Sequence, residues 1–320
     1  MSSTNLRFDD QVAVITGAGG GLGKQYALLL ASRGARVVVN DTGGSVTGGA
    51  SNTEAADAAA EEIRQLGGEA VADSHSVSIP EGGDAIIGTA LRAWGRVDIV
   101  INNAGIVRAA PFEQMTAEQL EPLLDVHLKG AFYVTRPAWK VMRGQGYGRV
   151  LNTCSAAGIL GANGMSNYGS AKTGLIGLTR VLAAEGANQN IKVNAIAPIA
   201  YTRMLVHSIE GAGQPEDESA RAVLDDLVSQ YLQKLDPARV APVAAFLTHR
   251  DCPVSGEIYT VGAGHVSRFF ISRTKGFYSP ALSVEDVRDH LDEIRDETGY
   301  TVPGGTADEM SELFATIMAN

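Results

Sequence analysis

The amino-acid sequence predicts an α/β fold: a doubly wound parallel sheet of about seven strands, flanked by helices and followed by a helical C-terminal extension. Three observations carry this expectation. Short apolar runs alternate with longer helical patterns over most of the chain, the order that builds a parallel sheet with helices on both faces. The first apolar run leads straight into a glycine-rich turn and a helix, a strand–turn–helix unit. At 320 residues with 45% hydrophobic side chains, the chain is long enough to bury the core such a sheet needs.

The first strand is read at 11–16, Gln-Val-Ala-Val-Ile-Thr, and its helix at 22–33. Between them Gly17, Gly21 and Gly23 permit a tight turn and close approach of backbone to a ligand. The helix N-terminus offers phosphates free N–H groups and partial positive charge. A glycine-rich turn without ligand is the alternative. The second strand, 35–40, ends at Asp41, 24 positions after Gly17 and near the spacing of about 20 at which an acid holds a dinucleotide's adenosine ribose. A carboxylate there accepts from ribose hydroxyls and repels a 2′-phosphate, so NAD is expected over NADP; a loop-capping Asp is the alternative. The stretch 42–52, rich in Gly, Ser and Thr, reads as a surface insertion beside the adenosine pocket. Further strand-like runs lie near 69–73, 97–102, 148–154, 191–196 and 257–261, with helical patterns near 53–66, 81–94, 117–143, 166–187 and 237–248. Asp41, Asn103, Ser155 and Pro198 each follow such a run, so one rim of the sheet collects the candidate residues, the rim where open α/β sheets bind ligands.

The helix at 166–187 carries Tyr168 and Lys172 four positions apart, hence on one face. An ammonium near a phenol favours the phenolate and lowers its pKa toward working pH, as a general acid/base for an alcohol/ketone pair requires. Such pairs also occur on ordinary solvated helix faces; here the glycine turn and Asp41 favour the chemical reading.

With these residues in place, the chain resembles the short-chain dehydrogenase/reductase family over about residues 8 to 264. Thr16-Gly-Ala-Gly-Gly-Gly-Leu-Gly23, Asn102-Asn-Ala-Gly105, Ser155 and Tyr168-x-x-x-Lys172 stand in family order, with 13 positions from Ser155 to Tyr168. Arg7-Phe-Asp9, Val39-Asn-Asp41, Val126-His-Leu128, Tyr147-Gly-Arg149, Thr202-Arg-Met204 and Val261-Gly-Ala-Gly264 are similar to one branch of it. That branch is the (3R)-hydroxyacyl-CoA dehydrogenases of peroxisomal multifunctional enzymes, also described as 17β-hydroxysteroid dehydrogenases.

The resemblance implies a Rossmann-type sheet and NAD-dependent oxidation of a secondary alcohol, first a (3R)-hydroxyacyl-CoA to its 3-oxoacyl-CoA. A 17β-hydroxysteroid or another hydrophobic secondary alcohol is the alternative. Asp41 argues against an acyl-carrier-protein ketoreductase, which would normally prefer NADP, and retention of Ser155, Tyr168 and Lys172 argues against a non-catalytic NAD sensor. By the same resemblance, Tyr168 is general base/acid, Ser155 steadies the substrate oxygen, and Lys172 binds the nicotinamide ribose and, together with the positive nicotinamide, depresses the Tyr168 pKa. Gly17, Gly21, Leu22, Gly23 and Asp41 hold the pyrophosphate and adenosine ribose. Ser76 and Val77 lie near the adenine and Thr202 near the carboxamide. Asn103, with Ala104 and Gly105, supports the cofactor side; a structural Asn tying strands together is an equal reading. Two positions depart from the family pattern. His127 stands where an Asn usually completes a proton relay, and is read either as a relay residue or as a hydrogen-bonded core histidine. Ile199 stands where Gly commonly follows Pro.

The formal charge of −10 argues against nucleic-acid and anionic-membrane partners. No apolar stretch approaches a membrane span, the N-terminus shows no signal-peptide h-region, and Met318-Ala-Asn320 is not a peroxisomal address, so a cytoplasmic setting is expected. The two cysteines, Cys154 and Cys252, have no metal spacing, and no metal is expected. The family resemblance implies that residues 201–235, which include Gly211-Ala-Gly-Gln-Pro215, form a lid over the substrate. Domains are expected at 1–264 and 265–320, the latter helical, with Ser283 and Asp286 marking a helix start and apolar spacing at Val287, Leu291, Ile294, Met310, Leu313 and Ile317. It is read as packing on the core or on a neighbouring subunit. Small residues along 166–187 and family analogy predict a homodimer or homotetramer.

Overall fold

The computed structural model describes residues 5–49, 52–211, 231–232 and 234–319. Strands β1 (Val12–Thr16), β2 (Arg36–Asn40), β3 (Glu69–Asp73), β4 (Ile99–Asn102), β5 (Gly148–Thr153), β6 (Ile191–Ile199) and β7 (Ile258–Gly262) form a parallel sheet in the order β3-β2-β1-β4-β5-β6-β7. Its inner strands are apolar at consecutive positions, so both faces must be covered. Alternate residues take opposite faces. Ala13 and Ile15 of β1 pack on one side with Leu30 of α1 (Gly21–Ser32) and Ile63 of α2 (Glu54–Gln65). Val12 and Val14 pack on the other with Ile86 of α3 (Pro80–Trp94).

The chain runs outward from β1 to β2 and β3, then returns to place β4 on the other side of β1. That reversal opens a crevice at the carboxyl ends of β1 and β4, where such sheets take ligands. The seven expected strands are all present, joined by an eighth, β8 (His265–Phe269), at the edge beside β7. The connection is two residues, Ala263 (φ 51°) and Gly264 (φ 84°), both in the left-handed region a tight hairpin turn uses. Four of the five β8 residues are exposed, so it carries no buried apolar run by which to be read from sequence.

The expected single helix at 117–143 is interrupted. α4 (Ala117–Leu123) passes through a π-helical turn, Leu124–Lys129, into α5 (Gly130–Gln145). Pro122 has no N–H for the carbonyl of Glu118 one turn back, which loosens the ladder just before the π turn. Two further helices were not expected: α6 (Ala156–Leu160), and α8 (Arg203–Gly211) after α7 (Ser166–Gly186). Most of the proposed substrate lid, 212–230 and 233, lies outside the described residues.

After α9 (Ala241–Thr248) and the β7–β8 hairpin, Phe269–Asn320 forms a second compact unit, and Met1–Arg268 the first. The division falls within β8, between Arg268 and Phe269. Within the second unit α10 (Val284–Asp289) begins with a reciprocal capping box: Asp286 N–H donates to Ser283 Oγ at 3.1 Å and Ser283 N–H to Asp286 Oδ2 at 2.9 Å. α11 (Leu291–Arg295) and α12 (Thr306–Ala319) follow, and the Arg273 guanidinium pairs with Glu309 and Glu312 of α12. Among the described residues no helix is long and apolar enough to cross a membrane, and no His, Cys, Asp and Glu cluster forms a metal site.

Candidate active site

A cleft of about 680 Å³ opens at the carboxyl ends of the central strands. α7 brings Tyr168 and Lys172 to it, and both side chains are buried, at 8% and 3% exposure. The Lys172 amine donates to the Thr153 carbonyl at the end of β5 (2.6 Å) and lies 5.5 Å from the Tyr168 ring centroid. Ser155 directly follows the β5 end in extended backbone. Its Oγ accepts from Ala157 N–H (3.2 Å), capping α6. Three groups from β5, its loop and α7 thus converge where the sheet opens.

Burial pushes the Tyr168 phenol up to about 12, and the hydrogen bond of Lys172 goes to the Thr153 carbonyl rather than to the phenol. The same burial lowers Lys172 to about 8. Beside them burial raises the Cys154 thiol to about 11, the behaviour of a packed, unreactive cysteine.

His127 sits on the π turn with its ring edge-to-face on Tyr168 (centroids 5.2 Å, 87°). Its Nε2 lies 2.7 Å from the Ile106 carbonyl and 3.1 Å from the Ile106 amide. Burial, then the Lys172 charge, hold it well below its usual pKa, so the ring is neutral. Nε2 is committed to Ile106, leaving Nδ1 as the one ring nitrogen without a protein partner among the described residues. Asn103 donates its amide to the Thr16 and Gly17 carbonyls, both at 3.0 Å, and so ties the glycine turn to the end of β4.

The opposite wall is backbone. α1 starts at Gly21 with no side chain capping its N-terminus and no acid in its first turn, which leaves its free N–H groups to a phosphate. Gly17 (φ 64°) lies so close to the β4 end that a Cβ there would meet Ala104 Cα at 2.8 Å. At Gly23 a Cβ would run into the Gly17 carbonyl, so this glycine serves helix–turn packing rather than lining the cleft. Asp41 Oδ2 accepts from Gly19 N–H (2.9 Å) and Oδ1 from Gly43 N–H (2.7 Å), fixing the carboxylate beside the turn. Gly21, Leu22, Ser76, Val77, Ala104, Gly105 and Thr202 also line the cleft. An uncapped helix start, glycine positions that admit no Cβ and a fixed carboxylate at the end of β2 fit a nicotinamide dinucleotide.

Sequence reading missed two cleft cations, Arg108 and Arg203. A lone loop arginine such as Arg108 gives no signal. Arg203 stands inside a phrase that was recognised, yet its guanidinium beside Gly20 had no sequence marker. The insertion after Asp41 was also underread: Ser45, Val46, Gly48 and Gly49 line the cleft itself.

Residues 11–211 match the family described as short chain dehydrogenase. The chain is 45% identical over 272 residues to the peroxisomal hydratase-dehydrogenase-epimerase of Saccharomyces cerevisiae, covering 85% of this chain but 28% of that protein. Among solved structures it is similar to full-length peroxisomal multifunctional enzyme type 2 from Drosophila melanogaster, with TM-score 0.78 and 35% identity over 98% of this chain and 50% of that one. It is also similar to 7α-hydroxysteroid dehydrogenase complexed with NADH and 7-oxo glycochenodeoxycholic acid, with TM-score 0.69 and 31% identity over 82% of this chain and 97% of that one. The chain therefore spans 28% of the yeast enzyme and 50% of the Drosophila one.

Proposed function

The chain belongs to the short-chain dehydrogenase family, an oxidoreductase family that uses NAD(P) on small molecules, and from that premise we propose that it is an NAD-dependent dehydrogenase oxidising a (3R)-hydroxyacyl-CoA to the 3-oxoacyl-CoA. The observation that carries the reaction type is the convergence of Ser155, Tyr168 and Lys172 in one buried corner of the cleft. When bound, the dinucleotide supplies the hydride acceptor. Tyr168 Oη takes the proton of the substrate hydroxyl, and Ser155 Oγ holds the same substrate oxygen as charge develops on it. A phenol held near 12 is a weak base at neutral pH, so the step needs positive charge beside Tyr168. Lys172, titrating near 8, is largely protonated at neutral pH and supplies it from within the same pocket. His127, neutral and bound to Ile106, acts as a positioning residue that packs against the Tyr168 ring.

The preference for NAD rests on Asp41. Its carboxylate is held beside the glycine turn by two backbone N–H groups, and among the described residues it pairs with no cation that would offset a 2′-phosphate. The acyl-CoA substrate rests on the dehydrogenase named in the yeast relative and on the similarity to multifunctional enzyme type 2. The likeness to a hydroxysteroid dehydrogenase supports a hydrophobic ring alcohol as the second reading. By family analogy the chain assembles as a homodimer or homotetramer, and Phe269–Asn320 is a helical extension without chemistry of its own.

The test is NADH formation from a medium- or long-chain (3R)-hydroxyacyl-CoA, alongside estradiol, with NAD⁺ and NADP⁺ in parallel. CoA-ester turnover with NAD⁺ is expected. Turnover of the steroid alone would move the substrate to the second reading, and preference for NADP⁺ would overturn the role given to Asp41.

A further inference from the structure

The insertion after Asp41 leaves the end of β2 but does not stay there. The Val107 amide donates to the Val46 carbonyl (2.8 Å), and Arg108 Nε donates to the Thr47 carbonyl (2.7 Å). Val107 and Arg108 follow β4, and β1 lies between β2 and β4 in the sheet. Residues 42–49 therefore cross the carboxyl end of β1, where the glycine turn and the uncapped start of α1 stand. The crossing piece is itself tight: Ser45 Oγ donates to the Gly48 carbonyl (2.6 Å), and the Gly48 amide to the Ser45 carbonyl (3.0 Å).

Arg108 links this crossing to the catalytic helix. Its Nη1 donates to the Glu118 carbonyl in α4, the carbonyl that Pro122 leaves without its usual helical N–H. The Arg108 carbonyl accepts from Asn167 Nδ2 (2.9 Å), a buried side chain that also donates to the Gln119 carbonyl (2.8 Å). Asn167 Oδ1 in turn accepts from the Tyr168 amide (2.7 Å). One run of hydrogen bonds thus connects Thr47, Arg108, Asn167 and the backbone of Tyr168.

We infer that residues 42–49 form a strap over the diphosphate of the bound dinucleotide, and that Arg108 is the positioning residue that latches it and ties it to the helix bearing Tyr168. The inference rests on the reading of the cleft as a dinucleotide site. The dinucleotide leaves only when the Val46–Val107 and Thr47–Arg108 bonds open, so the latch sets the dissociation rate of the reduced cofactor.

The experiment is stopped-flow release of NADH from the full chain, followed by nicotinamide fluorescence without substrate, with hydrogen exchange of the Val107 and Gly48 amides measured alongside. Arg108→Leu is expected to raise the release rate about tenfold, the scale of one charge-assisted hydrogen bond lost. It should also speed exchange at both amides. Arg108→Lys, whose ammonium can still reach the Thr47 carbonyl, is expected to regain most of the slow release. Gly48→Ala leaves Arg108 untouched but strains a backbone at φ 86° and sets a Cβ 3.1 Å from Arg108 Nη2, so it should speed release as well, and it keeps the test open should Arg108→Leu fail to fold. Release within twofold of wild type in the folded Arg108→Leu and Gly48→Ala proteins would overturn the strap alone. A wild type that binds neither NADH nor NADPH would overturn the dinucleotide reading and the strap with it.

Discussion

The two walls of the cleft are built by different means. On the catalytic wall the groups that matter are side chains: Ser155, Tyr168, Lys172 and, behind them, His127. Tyr168, Lys172 and His127 are buried, and they stand on α7 and the π turn, elements fixed by the core. On the cofactor wall most of the groups that matter are backbone, the amides at the start of α1, the carbonyls of Val46 and Thr47 and the glycines that let them approach, with the Asp41 carboxylate beside them. That wall is half-buried to exposed around 42–49. The groups proposed for chemistry sit where packing is dense, and those proposed for cofactor binding sit nearer the surface. A change on the catalytic wall should therefore cost rate with little loss of cofactor affinity, and a change on the cofactor wall should do the reverse.

The sharpest test of that division is Tyr168→Phe. It removes one oxygen from the catalytic wall and leaves the ring to pack against His127. Loss of a general acid/base predicts a fall in kcat of roughly a thousandfold, with NADH affinity within about threefold of wild type. Fluorescence titration and steady-state assays measure both quantities. Activity that survived the loss of the phenol would remove Tyr168 from the mechanism, and a large loss of NADH affinity would show that the walls are not separable.

Asp41→Asn tests the other wall. The substitution keeps the shape but removes the charge that accepts from Gly19 and Gly43. We expect NAD⁺ affinity to fall about tenfold, the scale of a hydrogen bond to a charged group, while kcat at saturating NAD⁺ changes little. NADP⁺ turnover should rise in the same variant, since the repulsion of a 2′-phosphate is gone. A fall in kcat without a change in KM for NAD⁺ would place Asp41 in a structural role only.

The same contrast explains what was legible in the sequence. Tyr168 and Lys172 could be paired from their spacing alone, because a helix turns a spacing of four into one face. The glycine turn and Asp41 were legible because their order along the chain follows from strand, turn and strand. The π turn at Leu124–Lys129 was not, since a missing hydrogen bond at Pro122 changes the ladder without interrupting the apolar pattern. The strap was not legible either: Val46 and Thr47 contribute carbonyls, and a carbonyl leaves no mark on residue identity. Nor was the depth at which Tyr168 is buried, which pushes its phenol up to about 12.

A last expected effect concerns the energetic cost of the catalytic wall itself. Lys172 titrates near 8 in the folded chain against 10.5 when free, so folding disfavours its charged form. Below pH 8 the side chain is charged in both states and the burial penalty is fully present. Between 8 and 10.5 the unfolded chain holds more protons than the folded one, so stability rises with pH. Above 10.5 the penalty is gone. Its full size is about 3 kcal/mol, partly offset by the bond to the Thr153 carbonyl. Lys172→Met removes the titration and keeps most of the volume. Its melting temperature minus that of wild type is therefore expected to be highest near pH 7 and to shrink by a few degrees toward pH 10. Tyr168 titrates in both proteins and largely cancels from the difference. A gap that stayed flat across that range would mean that Lys172 carries no burial penalty, and that the catalytic wall is as relaxed as the one it faces.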